Sequence, residues 1–274
     1  MSAAASTFLV LLLASLLSGC ASSPTLGSQA SAGGVQRIQF RGDEVPRSLY
    51  SLFTGKDSAS YLEYRLPEHY SREKQYPLLL YVPGSNGQPG GEIQNAIDIA
   101  DGRECVVASL PLFKATIDRT EPADGLIIGF SDYPVLSGAY RTMLEGLYRA
   151  VPNIDPEKSA MVGFSNGAVA IAVLVSCHDE YILDRFHSFC MVDQGMFNLT
   201  DLYKAPTKDR RFLMLVGDKE ALGRDEQIRG ARLVEDMARL VGAHVETRIL
   251  PNTGHELTKG CKTEIGDWVF GPRQ

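Results

Sequence analysis

The sequence predicts an α/β protein, a single domain in which a mostly parallel central sheet is covered by helices on both faces. Three observations predict it. Pro77-Leu-Leu-Leu-Tyr-Val-Pro83 and Phe212-Leu-Met-Leu-Val216 are continuous apolar runs, the pattern of strands buried on both sides. Segments of helical spacing alternate with such strands, and no repeat of roughly 20 to 50 residues interrupts them. A Gly163-Phe-Ser165-Asn-Gly167 turn joins a short apolar strand to an Ala/Val-rich run from Ala168 to Val175.

Taken in order, residues 1–34 contain no Asp, Glu, Lys or Arg. Phe8 to Leu17 is too short for a stable membrane-spanning helix and suits the core of a signal peptide over residues 1–19. Leu17-Ser18-Gly19-Cys20 resembles the bacterial lipobox, although Met1 to Thr7 has no Lys or Arg. That resemblance implies a lipidated Cys20 and an exported, membrane-anchored lipoprotein facing the periplasm or cell exterior; an ordinary secretory leader is the alternative. Residues 20–34 read as a Ser/Ala/Gly tether reaching roughly 20 Å, and residues 35–274 as the folded domain.

Val35 to Phe40 and Ser60 to Leu66 alternate as strands, with Gly55-Lys56-Asp57 as a turn between them. The strand at 77–83 runs into Gly84-Ser85-Asn86-Gly87 and Gly90-Gly91. Glu92 to Asp101 reads as a helix and Glu104 to Leu110 as the next strand. Pro111 to Leu136 is broken by prolines and glycines, so the following helix is expected over Ser137 to Ala150. His187 to Val192 and Phe212 to Val216 read as strands. Arg224 to Val241 has apolar residues at 228, 231, 234, 238 and 241, a helical spacing. His244 to Leu250 is the last strand, and Ile265, Trp268 and Val269 anchor a closing helix.

With 44% hydrophobic and 22% charged residues, the chain has material for a deep core needing neither metal nor disulfide. The net charge of −6 and the lack of a basic run argue against nucleic-acid binding.

The chemistry centres on Gly163-Phe-Ser165-Asn-Gly167. In such a turn the serine takes a strained backbone that projects its hydroxyl, and glycines at both flanks avoid collisions. The backbone N–H of Asn166, at a helix N-terminus, is available to an oxyanion. A serine needs a base and a group to orient that base. His255, in Pro251-Asn-Thr-Gly-His255-Glu-Leu after the last strand, lies at the sheet edge where ligands bind. Asp218 and Glu220, after the strand ending at Val216, are both candidates for the third group. No Cys/His cluster has zinc-ligand spacing, and the chemistry requires no metal or organic cofactor.

The order Ser165, acid, His255, with its strand–turn–helix context and Gly-rich loop after the third strand, looks like an α/β-hydrolase. The Gly163-Phe-Ser165-Asn-Gly167-Ala run and the Gly-x-x-acid loop resemble the polyhydroxybutyrate-depolymerase, feruloyl-esterase and acetyl-xylan-esterase group over roughly residues 60 to 270. The resemblance implies a serine esterase acting through an acyl-enzyme on small-molecule or polymer-linked esters. It places the acid at Glu220, where that group more often has Asp, so Asp218 stays open. It places a second oxyanion donor at Ser85, with Asn86 next; Pro83-Gly84 stands where the group usually has His-Gly. A prolyl-oligopeptidase-type peptidase and a non-catalytic binding relative are the alternative readings.

Cys105, Cys177, Cys190 and Cys261 allow three pairings into two disulfides, of which Cys177–Cys190 is plausible; buried thiols in the strands are the alternative. Phe113, Tyr133, Met196 and Phe197 fall in loops at the catalytic edge and are candidates for a pocket lining. Asn198-Leu-Thr200 matches a glycosylation acceptor.

Overall fold

The computed structural model describes residues 33–56, 58–117, 126–195, 207–219 and 223–272, all within one compact unit, Ser31–Gln274. The leader, Cys20, Met196, Phe197, the Asn198-Leu-Thr200 acceptor and Glu220 lie outside the described residues.

The apolar runs form a sheet of eight strands: β1 (Val35–Gln39), β2 (Tyr61–Arg65), β3 (Leu78–Val82), β4 (Val106–Ser109), β5 (Ala160–Phe164), β6 (Ser188–Val192), β7 (Arg211–Gly217) and β8 (His244–Leu250). Their order is β1-β2-β4-β3-β5-β6-β7-β8. β2 pairs antiparallel with β1 and β4, and every pairing from β4 to β8 is parallel. Every residue of β3 is buried. Its alternate side chains serve two layers, Leu78, Leu80 and Val82 in one and Leu79 and Tyr81 in the other. This is why the run reads as unbroken rather than alternating.

Helices fill both layers. α3 (Tyr133–Ala150), α4 (Asn166–Ser176) and α6 (Arg224–Val241) cover the first through Leu136, Met143, Val173 and Val234. α2 (Ile93–Ala100) and α7 (Lys259–Phe270) cover the second through Ala96, Ile99, Ile265 and Trp268. All of α4 is buried, which explains its apolar composition on every side.

Three local differences from the sequence expectation have physical causes. Gly55, where the sequence suggested a turn, ends a helix, α1 (Leu49–Thr54), at φ 70°, and the Ser48 hydroxyl caps its start; six residues are too few to display a period. α3 starts at Tyr133 rather than Ser137, with Pro134 in its first turn. Proline there lacks only an N–H that would have had no helical partner, so it begins this helix instead of breaking it. A single turn, α5 (Glu180–Leu183), capped by Asp179, sits between α4 and β6, where no element is expected from the sequence.

The connection from β3 through α2 to β4 runs along one face, and α3 then returns along the other to β5, on the far side of β3. The carboxyl ends of β3 and β5 therefore flank a topological switch point, where an open α/β sheet leaves a crevice.

No disulfide joins Cys105, Cys177, Cys190 and Cys261. The pairing expected as plausible between Cys177 and Cys190 is corrected by the layers: Cys177 packs on the α4 side, whereas Cys190 lies in the opposite layer with Cys105 and Cys261. Burial pushes the Cys105 and Cys261 thiols up to about 12 and holds Cys190 well above the usual range. Iodoacetamide is therefore expected to modify Cys177 first in the native protein, the other three reacting only on unfolding. Peptide mass mapping against time checks this, and faster modification of Cys190 than of Cys177 would contradict the layering.

Candidate active site

The site begins where β5 ends. Ser165 has φ 52° and ψ −119°, outside the ordinary regions for a residue with a Cβ. Its N–H donates to the Val192 carbonyl at 2.9 Å, which ties the bend to β6. The flanking glycines are required by contact. A Cβ on Gly163 would stand 2.5 Å from the Gly167 carbonyl oxygen, and one on Gly167 would stand 2.2 Å from the Val82 carbonyl oxygen. Only an elbow bare on both flanks lets α4 start so close to the ends of β3 and β5.

His255 reaches the same edge from the loop after β8. Its Nε2 lies 2.9 Å from Ser165 Oγ. With the proton on Nδ1, Nε2 accepts the serine hydroxyl proton. The Phe164 ring packs against the imidazole at 5.0 Å between centroids. The loop is fastened to the chain after β7 on both sides of Thr253: Lys219 N–H donates to the Thr253 carbonyl at 2.8 Å, and Thr253 N–H donates to Asp218 Oδ1 at 3.2 Å. One strand further in, buried Asp193 accepts from Gly217 N–H at 2.8 Å. The ends of β6, β7 and β8 are thus tied in sequence, and His255 sits at the end of that series.

On the other side of Ser165 lies the loop after β3. Gly87 N–H donates to the Gly84 carbonyl at 3.0 Å, closing a tight turn, within which Ser85 has φ 48°. Gly84 packs on the elbow itself, since a Cβ there would meet Ser165 Cβ at 3.1 Å. Pro83-Gly84 therefore brings the loop against the serine without the histidine usual in the resembled group.

The buried Asn166 side chain spans two segments. Its Nδ2 donates to the Ser85 carbonyl at 2.9 Å and to the Leu126 carbonyl at 2.8 Å. Its Oδ1 accepts from Ile128 N–H at 2.8 Å. The segment around 128 is held from its far end by Asp132, which accepts from Gly129 N–H, Ala115 N–H and Lys114 Nζ. Beside these anchors, Ile127 and Phe130 are large apolar side chains left exposed.

The fold thus brings together Ser165, His255, Asn166 and Ser85, and places Asp218 on the loop that holds Thr253. From sequence alone Asn166 has only a backbone role, and Asp193, Lys114 and Asp132 do not stand out. An acid directly after a strand at the ligand-binding edge was a usable signal for Asp193. Phe113, a pocket candidate, is fully buried and meets Tyr140 edge-on at 6.0 Å between centroids, so it belongs to the core. Tyr133 opens α3. A surface cleft of about 890 Å³ lined by Arg65, His69, Arg103 and Cys105 lies at the amino ends of the parallel strands, the edge away from Ser165. Among the described residues no three His, Cys, Asp or Glu side chains cluster as metal ligands.

No family model and no curated protein matches the chain. Solved structures do. The chain is similar to an S-formylglutathione hydrolase from Agrobacterium tumefaciens at TM-score 0.56 and 15% identity, over 88% of this chain and 95% of that one. It is similar to a ferulic acid esterase from Anaeromyces mucronatus, solved with ferulic acid, at TM-score 0.53 and 11% identity, over 91% and 94%. A thermostable esterase matches at TM-score 0.55 and 15% identity; 86% of this chain is aligned, spanning 59% of that longer chain. At such identities the likeness is one of fold. Strand order, crossovers and structural neighbours agree, and the chain has the α/β-hydrolase fold.

Proposed function

We propose that this protein is a serine hydrolase of carboxylic esters working through an acyl-enzyme. The observation that carries the reading is the 2.9 Å contact between His255 Nε2 and Ser165 Oγ, on a serine whose backbone is bent out of its ordinary regions. The esterases among the structural neighbours support it.

In this reading Ser165 Oγ attacks the ester carbonyl carbon as His255 Nε2 takes its proton. The carbonyl oxygen becomes an oxyanion, held by the N–H of Asn166 and a second N–H from the loop after β3, that of Ser85 or next Asn86. Such donors act on charge present only in the transition state and are worth about 3 kcal/mol each. The tetrahedral intermediate collapses, the bond to the alcohol oxygen breaks, and His255 protonates the leaving alkoxide. Water then gives a proton to the same imidazole and attacks the acyl carbon; the second intermediate releases the acid and restores the serine. Ile127 and Phe130 offer apolar surface to the substrate beside this path.

The acid that orients His255 is Glu220 by resemblance, with Asp218 as the alternative. The Asp218 contact with Thr253 N–H gives that carboxylate a loop-holding task. Glu220→Gln is therefore expected to lower kcat by up to about 10⁴-fold, and Asp218→Asn by less. The larger loss at position 218 would exchange the two assignments, and equal small losses would remove this loop from the mechanism.

The reaction class is tested by comparing p-nitrophenyl acetate, methyl ferulate and an aminoacyl-anilide as substrates. Turnover of the esters supports the proposal. Preference for the anilide would make the protein a peptidase of prolyl-oligopeptidase type, and no turnover of any would favour a binding role. We further propose export and lipid anchoring through Cys20, supported by the charge-free leader and its Leu-Ser-Gly-Cys end. An alkyne fatty acid incorporated in the native host should label the wild type and not Cys20→Ser; equal labelling would overturn the anchor.

A further inference from the structure

We propose that the side-chain amide of Asn166 is a positioning residue that sets the oxyanion hole, acting as a clamp between the loop after β3 and the segment at 126–128. This inference rests on the esterase reading and adds to it a role for a group that touches neither substrate nor nucleophile.

Asn166 is the first residue of α4, and side chains on a helix lean toward its amino end. This one therefore reaches past the helix start, over the edge where the chemistry lies. An uncharged amide offers two N–H donors and a carbonyl acceptor. Here both kinds of group are used, on Ser85, Leu126 and Ile128, at 2.8 to 2.9 Å. The three partners are backbone groups of segments that lie 81, 40 and 38 positions away. Asn166 itself is buried, at 7% exposure.

What the clamp fixes follows from peptide geometry. The Ser85 carbonyl and the Asn86 N–H belong to one rigid plane, so holding the oxygen also fixes the direction of that N–H. Ser85 has φ 48°, a backbone region a serine rarely occupies without external restraint. The Asn166 amide supplies such a restraint from the same residue whose own N–H is the first oxyanion donor. The Asn86 N–H is thereby referred to the same residue whose own N–H is the first donor, and the Ser85 N–H, in the preceding peptide, is joined to that fixed plane through the Ser85 Cα at φ 48°. Aspartate is nearly isosteric but lacks both donors, and it would set a carboxylate oxygen against the Ser85 and Leu126 carbonyls.

The experiment compares wild type, Asn166→Asp and Asn166→Ala, the last letting water into the vacated space should the aspartate fail to fold. Three quantities are read: kcat and KM for p-nitrophenyl acetate, the affinity of a trifluoromethyl ketone that forms a tetrahedral adduct, and amide hydrogen exchange by peptide. The expected result is a fall in kcat of about 100-fold with KM little changed, and ketone affinity falling by a similar factor. Exchange should quicken in peptides covering 84–91 and 126–130, and not in those covering β6 or α6. A folded variant with wild-type kcat overturns the proposal, as does a lower kcat with exchange unchanged in both segments. Should the wild type itself turn over no ester, the esterase reading fails. The exchange comparison then still decides the clamp: quickening confined to the two segments supports it, and unchanged exchange overturns it.

Discussion

Replacing Ser165 by alanine is expected to lower kcat for ester hydrolysis by roughly a millionfold, the loss seen when a serine hydrolase loses its nucleophile, without loss of the fold. The second half of this result concerns the backbone. Ser165 is held at φ 52° and ψ −119°, and a residue with a Cβ in such a region costs about 1–3 kcal/mol. Ser165→Ala keeps that strain, whereas Ser165→Gly relieves it because glycine lacks the colliding Cβ. The glycine variant should be equally inactive yet more stable than the alanine variant by about 1 kcal/mol, the relief exceeding glycine's greater unfolded-chain entropy. Urea unfolding of the two measures the difference. A glycine variant less stable than the alanine variant would mean that the elbow carries no strain of its own, only glycine's entropic cost remaining.

Gly167→Ala has the largest expected effect on stability, and it acts on fold and activity together. The added Cβ would stand 2.2 Å from the Val82 carbonyl oxygen and 2.5 Å from that of Pro83. Neither is a side-chain end that can rotate away, so α4 must move off the end of β3. Overpacking of this kind costs about 3 kcal/mol. The same movement displaces Asn166, so kcat should fall by about 100-fold even under conditions where the variant is fully folded. Gly138→Ala is the control. It lies within α3 with nothing near the new Cβ, and it should be neutral or stabilise by up to about 1 kcal/mol. Thermal unfolding and kcat for both variants give the comparison; a Gly167→Ala protein with wild-type stability and kcat would deny the close approach of helix and strand.

What could be read from the sequence was whatever a local period or a steric rule writes into neighbouring residues. β3 and α6 were legible because burial on both faces and a helical stripe each leave a pattern within one segment. Ser165 was legible because a strained elbow needs glycines two positions away on each side. His255 was legible because the end of the last strand falls on the same edge as the elbow. The contacts of the Asn166 amide were not, since its partners become neighbours only when the chain crosses over at the switch point between β3 and β5. The Lys114–Asp132 pair is of the same kind, its members being brought together by an irregular connection with no period to reveal it. Cys177 and Cys190 show the opposite error: closeness in sequence suggested a bond, while the sheet sends the two side chains into different layers. Pro134 shows how one residue type carries two meanings, a breaker inside a helix and a natural start to one.

In the proposed reading Ser165 is a nucleophile because His255 takes its proton. The most direct measurement is the intact mass and tryptic map of the protein after treatment with a fluorophosphonate, for wild type, Ser165→Ala and His255→Ala. One adduct is expected on the wild type, mapped to Ser165, none on Ser165→Ala, and labelling of His255→Ala slowed by at least about a thousandfold. An adduct on another residue, or His255→Ala labelling at the wild-type rate, would contradict it.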